Sequence, residues 1–304
     1  MNTNTLMLKI LFACLLTMSV ILPLQTFAAE TEIPKKSEAK SEVSNSVQSE
    51  VNKKTAEVTA AKQKELLTEA QAAITETEKA LQALKVNKPK EALEALSVAT
   101  GKLEIVIARN PKLMLAPVSM EVVTLDLLSN RETVKAVTKQ AKDFLSDGEI
   151  QKARPLLAGL ASEIQIRTAN IPLETYPAAI KHVTPLIDAG KIDEAKAELQ
   201  GLLSTLVVTT DVVQLPKLRA EQMLKDAQML AEKKDRSNDD NDRLSKNIQA
   251  AREQLELGEV LGYGNKKEYK PIYQQLDEIS KKTTGGKTGL GWFDKVKKQI
   301  SDLS

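Results

Sequence analysis

This 304-residue chain has one histidine, His182, and one cysteine, Cys14, and this limits the chemistry open to it. A serine–histidine mechanism would have to use His182, which sits in Ala178-Ala179-Ile180-Lys181-His182-Val183, and no Gly-x-Ser-x-Gly turn exists to present a serine. His182 reads as structural or simply exposed. A histidine-based or thiolate metal site needs several such ligands, and no second histidine or cysteine can supply them. Gly286-Lys287-Thr288 has the ending of a phosphate-binding loop, but the upstream position that requires glycine holds Lys281, so the cradle of backbone amides does not form. Asp235 to Lys246 has the acidity of a calcium loop, yet its sharp-turn position is Asp240 and its bidentate position is Lys246. Ser237 followed by Asp240 reads instead as a helix N-terminal cap. The expectation is therefore no catalytic, metal or cofactor-binding residue. A site built from carboxylates alone is the one enzymatic reading this inventory leaves open.

The segments that carry these residues are sharply divided. Met1 to Lys9 is a short head with one positive charge, Ile10 to Leu24 is mostly apolar, and Thr26-Phe27-Ala28 offers small residues where a signal peptidase reads. Residues 1–28 are read as a secretory signal cleaved after Ala28. The apolar run, interrupted by Thr17, Ser19 and Pro23, is shorter than the roughly 20 residues that span a bilayer, which disfavours an uncleaved anchor. Cleavage removes Cys14, so disulfide and thiol chemistry are excluded from the mature chain. Residues 29–57, rich in Glu, Lys, Ser and Asn, lack the apolar surface needed to offset ordering and read as a flexible linker.

With 43 basic and 41 acidic side chains, the chain lacks the basic excess of a nucleic-acid binder. Residues 265–304 hold nine Lys against five Asp or Glu, so the C-terminal end is the basic end. In an outer-envelope compartment the carboxylates would follow external pH, and acidification toward a pKa of about 4 would turn a near-neutral protein strongly cationic. That permits acid sensing without demonstrating it.

From about residue 58 the apolar residues return every three or four positions, as on one face of a helix. The body then repeats itself. Leu84, Ala92, Leu96 and Leu103 match Leu145, Ala153, Leu157 and Ile164, and match again Ile187, Ala195, Leu199 and Leu206, with identical internal offsets. A break follows each first anchor: Val86-Asn87-Lys88-Pro89, Ser146-Asp147-Gly148 and Asp188-Ala189-Gly190. Each unit is an αα-hairpin, and the unequal spacing between units argues for a packed bundle rather than a solenoid. The fold class is mainly α, a helical bundle of αα-hairpins with three related units over residues 58–284.

After the hairpins come Ile105-Val106-Ile107, Ile164 with Ile166, and Val207-Val208 with Val212-Val213, and Val118 to Leu128 is similar. Such runs are buried helix ends or short β segments, and periodicity alone does not separate the two; the helical reading is preferred. Leu218 to Lys233, Arg243 to Leu261 and Tyr269 to Lys282 read as further helices. Residues 285–304 form a glycine-rich turn and a short amphipathic helix whose stripe includes Trp292, Phe293, Val296 and Ile300. That stripe is the candidate interaction surface, with three readings: docking on the chain's own bundle, contact with another subunit, or contact with a membrane surface.

Thr100-Gly101-Lys102-Leu103-Glu104, Ala108-Arg109-Asn110-Pro111-Lys112-Leu113 and Ala116-Pro117-Val118 carry a resemblance, as do Ala251-Arg252-Glu253-Gln254-Leu255, Leu261-Gly262-Tyr263-Gly264 and Tyr269-Lys270-Pro271. They resemble the YfdX family of bacterial proteins, from about Lys64 to the end. The resemblance implies a helical protein of the Gram-negative periplasm, associated with stress and acid responses and tending to oligomerise, with no catalytic residues to carry over. The expected function is thus a non-enzymatic, chaperone-like periplasmic stress protein that binds other proteins or small amphipathic molecules, without nucleic acid or cofactor and as a homo-oligomer. A structural envelope component held to a membrane or partner by its C-terminal helix is the alternative.

Overall fold

Three positions fix the architecture: Asn87, Gly148 and Gly190 occupy equivalent places in the three repeats, and all have left-handed backbones, with φ of 57°, 75° and 72°. Each ends a helix with the same pair of hydrogen bonds. The amide of the left-handed residue donates to the carbonyl three before it, and the next amide reaches five back: Lys88 to Ala83, Glu149 to Phe144 and Lys191 to Leu186, at 2.8–2.9 Å. This closure satisfies carbonyls that a helix end would leave unpaired, and glycine or asparagine is the residue that tolerates it.

The computed structural model describes residues 47–127 and 129–303, which belong to one unit, Ser37–Ser304. The signal reading with its cleavage at Ala28, and residues 29–46 of the expected linker, lie outside the described residues. The elements are α1 (Gln48–Gln63), α2 (Thr68–Lys85), α3 (Pro89–Arg109), β1 (Leu115–Leu125), α4 (Arg131–Ser146), α5 (Ile150–Ala158) and β2 (Glu163–Pro172). There follow α6 (Tyr176–Asp188), α7 (Ile192–Ser204), β3 (Val207–Gln214), α8 (Leu215–Glu232), α9 (Asn238–Leu261), α10 (Lys266–Thr283), a 3-10 turn (Thr284–Gly286) and α11 (Asp294–Ser301). The chain is mainly helical, and the three expected hairpins are α2–α3, α4–α5 and α6–α7.

Each hairpin leads into a strand, and the strands form one antiparallel sheet in the order β1-β2-β3. The preference for helix at the β-branched runs is corrected at two of the three and at residues 118–125. Ile164 and Ile166 lie in β2, the four valines lie in β3, and Val118 lies in β1. Ile105-Val106-Ile107 remains helical within α3, where Leu103 and Val106 are buried. Ile164 and Ile166 turn one face of the sheet toward Val51 and Val58 of α1 and Leu215 and Leu218 of α8.

That packing also revises the linker expected to run to residue 57. Gln48–Gln63 is helix, and Val47 and Val51 are buried. A polar segment with few apolar residues is ordered because those few recur at helical spacing and meet a sheet face and α8.

Two further clusters complete the core. Hairpins α2–α3 and α6–α7 pack together and bury Leu84, Leu96, Leu103, Ile180, Ile187 and Leu199. Helices α8 to α11 bury Met223, Leu224, Leu255, Tyr269, Leu276, Phe293 and Ile300. The α9 N-terminus carries the cap read from sequence. Ser237 Oγ accepts from the Asp240 amide at 3.1 Å, and the Asp240 carboxylate accepts from the Ser237 amide at 3.0 Å.

Candidate functional site

Tyr263, Tyr269 and Tyr273 are tied into structural contacts, whereas the lone histidine is not. His182 is exposed and lies 3.5 Å from Glu198, which is itself exposed. The Tyr263 hydroxyl donates to Glu163 of β2 at 2.6 Å and accepts the Ser162 amide at 3.0 Å, joining the α9–α10 turn to the sheet. The Tyr269 hydroxyl donates to the Tyr263 carbonyl at 2.9 Å, and burial pushes its pKa up to about 12. Burial and the Glu259 carboxylate likewise raise Tyr273. A phenol held protonated in this way is a structural donor at neutral pH.

Arg219, almost wholly buried in α8, meets Asp126 with two hydrogen bonds, Nη1 to Oδ1 at 3.0 Å and Nη2 to Oδ2 at 2.8 Å. Its Nη2 also reaches Gln48 of α1 at 3.4 Å. The pair ties the segment after β1 to α8 and α1. Among the described residues no group of three or more His, Cys, Asp or Glu side chains is placed to hold a metal, and no helix is long and apolar enough to cross a membrane.

The predicted interaction stripe is placed inside the protein. Phe293, Val296 and Ile300 are buried in the cluster formed with α8 to α10, and Trp292 packs against that cluster. Lys217 Nζ donates to the carbonyls of Ser301 and Leu303 at 3.0 and 2.7 Å, holding the C-terminal end of α11 on α8. Of the three readings of this stripe, the structure has the first: α11 docks on its own bundle. The reason is area, because a helix of two turns finds more apolar surface against three neighbouring helices than alone.

The surface that stands out instead belongs to the middle hairpin. All three hairpins bury their inner positions: Ala92, Ala153 and Ala195 are fully buried. The outer positions differ. Leu84 and Leu96 of the first hairpin, and Ile187 and Leu199 of the third, are at most 4% exposed. Their equivalents Leu145 and Leu157 in α4–α5 are 45% and 46% exposed, and Ile150 is 61% exposed. Hairpins one and three cover each other, whereas the middle one rests on the bundle through α4 against α9, with Arg131 bonding Glu256 at 2.7 Å. Ile150 and Leu157 are two turns apart on one side of α5. Leu145 and Leu157 were legible as repeat anchors, but nothing in their residue type or spacing distinguishes them from buried equivalents.

A second feature is an open groove of about 970 Å³ along α2 and α3, floored by Leu81, Ala83, Ala95 and Leu203 and rimmed by Glu78, Glu91 and Glu94 together with Glu76, which Lys79 ion-pairs. It joins apolar surface to an acidic edge.

Hairpin repeats feeding a small antiparallel sheet, with apolar surface left open on the middle pair, define a mainly helical protein with a minor β component. Residues 73–212 match the family model described as YfdX protein, a stretch that runs from the first hairpin to within β3. Through this stretch the chain is a YfdX family protein. The resemblance in residues 251–271 lies outside the matched region. Among solved structures, a crystal structure of Salmonella Typhi YfdX is 14% identical, covering 49% of this chain and 93% of that chain with a TM-score of 0.34. That superposition is too loose to carry geometry between the two. No curated protein matches the sequence.

Proposed function

We propose that this is a non-enzymatic periplasmic stress protein with chaperone-like activity, holding apolar segments of other proteins against the α4–α5 hairpin. The observation that carries this reading is the exposure of Leu145 and Leu157 at positions whose equivalents in the other two hairpins are covered, with Ile150 exposed beside them. A helical pair with an uncovered apolar face is the kind of surface that accepts another amphipathic segment. The acid-rimmed groove on α2 and α3 supports a second class of guest, small amphipathic molecules bearing positive charge.

Dithiothreitol-reduced insulin is a suitable client, because residues 29–304 contain no cysteine and are untouched by the reductant. Light scattering of aggregating insulin B chain should fall in the presence of equimolar protein. The Leu145→Ser/Ile150→Ser/Leu157→Ser variant should lose that protection while keeping its helical circular dichroism. Unchanged aggregation at stoichiometric wild-type protein would overturn the reading.

A further inference from the structure

The two edges of the sheet are treated differently. On the outer side of β1, Pro117 has no amide to offer, its carbonyl accepts the Leu67 amide at 3.0 Å, and the strand is bulged between Pro117 and Ser119. Pro, bulges and covering contacts are the usual means of closing a sheet edge. Strand β3 has neither Pro nor bulge, and its ion pair with α1 runs from the Asp211 side chain and leaves the backbone edge uncovered. Its eight residues, Val-Val-Thr-Thr-Asp-Val-Val-Gln, contain no Pro, Lys or Arg, and Val207 to Val212 are all exposed. Among the described residues, backbone hydrogen bonds join Val207–Val213 to β2 alone.

The sequence of β3 is close to a palindrome about Thr210, and an antiparallel strand paired with its own copy across a two-fold axis needs that property. With Thr210 on the axis, Val207 faces Val213 of the copy, Val208 faces Val212, and Thr209 faces Asp211. Val208 and Val212 point to the same side of the sheet and are 60% and 47% exposed, so pairing would gather four exposed valines around the axis. On the other side, the Thr209 hydroxyl, which donates weakly to the Thr168 carbonyl at 3.4 Å, would turn that proton to the copy's Asp211 carboxylate, whose charge is balanced by Lys62 of α1 at 3.2 Å.

We propose that β3 is a self-pairing edge, through which two copies of this chain join their sheets into one continuous six-stranded antiparallel sheet. This surface is separate from the α4–α5 hairpin, so the two proposals fail independently.

The test is the mass of the mature chain by light-scattering chromatography at micromolar concentration, with register read by charge pairs. Wild type should run as an assembly of at least two copies. Val208→Lys/Val212→Lys sets two introduced lysines against each other on both sides of the axis and should halve that mass or reduce it further. Val208→Lys/Val212→Glu sets opposite charges in the same places and should restore the mass. Thr210→Cys should cross-link to its own copy with a short bismaleimide, while Met229→Cys, exposed on α8, should not. If the double-lysine chain misfolds by circular dichroism, the Thr210→Cys cross-link decides alone. A monomeric wild type, an assembly indifferent to the double-lysine change, or a β3 edge that takes up an added client strand and not its own copy would each overturn the proposal.

Discussion

At the scale of single residues, stability rests on a few polar contacts whose loss has a defined size. Arg219 is buried, and its charge is balanced by Asp126. Removing the carboxylate leaves a guanidinium without its ion partner, so Asp126→Ala should cost about 3–5 kcal/mol in urea unfolding. Arg219→Met with Asp126→Leu should recover much of that, because an apolar pair removes both charges together. Asp240 gives a pH-dependent counterpart. Its hydrogen bond with Lys233, and then those with Ser237, lower its pKa from 3.8 to about 2. A carboxylate whose folded pKa is depressed contributes stability above its unfolded pKa and loses it as pH falls through the folded value. The contribution of the α9 cap should therefore be present at neutral pH and fade between about pH 4 and pH 2. Asp240→Asn should flatten that part of the unfolding curve measured against pH.

Elements obey local rules until a neighbour overrides them. The three hairpin turns were legible from Asn87, Gly148 and Gly190, because helix closure by a left-handed residue uses only nearby backbone groups. Gly190→Ala should cost about 1–2 kcal/mol, the penalty of placing a Cβ in that backbone conformation, with no change in assembly. The β-branched runs were not resolved by composition. Ile105-Val106-Ile107 continues the periodicity of α3 and keeps Val106 buried, whereas Ile164 and Ile166 find partners on both flanking strands and a helix above them. Helix α1 was missed because Val47, Val51 and Val58 are too sparse to announce a helix without the surface they cover. The terminal stripe is amphipathic as its spacing indicates, and its structural partner is the chain's own bundle. Ile300→Ala should therefore destabilise the fold by about 2–5 kcal/mol, as a cavity in a core does, measured by thermal or urea unfolding.

For the whole molecule, the question is how a nearly charge-balanced chain responds to acid. Burial raises the pKa of Glu221 on α8, partly offset by Lys217 and Lys54, and burial likewise raises Asp226. A carboxyl group whose folded pKa lies above its unfolded value takes up its proton first in the folded state, so its effect on stability improves as pH falls through that window. This opposes the loss at Asp240 and at Glu69 and Asp193, whose pKa values are lowered. Stability should thus hold through mild acid and drop only toward the lower window. Glu221→Gln should raise stability at neutral pH while leaving it nearly unchanged at acid pH, as read by urea midpoints across pH.

The sequence by itself determined the helical repeats, their turns, the α9 cap and the scarcity of reactive groups, because each depends on residue identity or on hydrogen bonds within a few positions. Tertiary structure alone decided which copies of the repeated hairpin face cover each other. Leu84, Leu145 and Ile187 are equivalent in pattern, yet only Leu145 is left open, since burial of an outer face depends on what packs against it. Tertiary structure likewise turned three separate segments into one sheet with a closed edge and an open one, because strand pairing joins residues far apart in the chain.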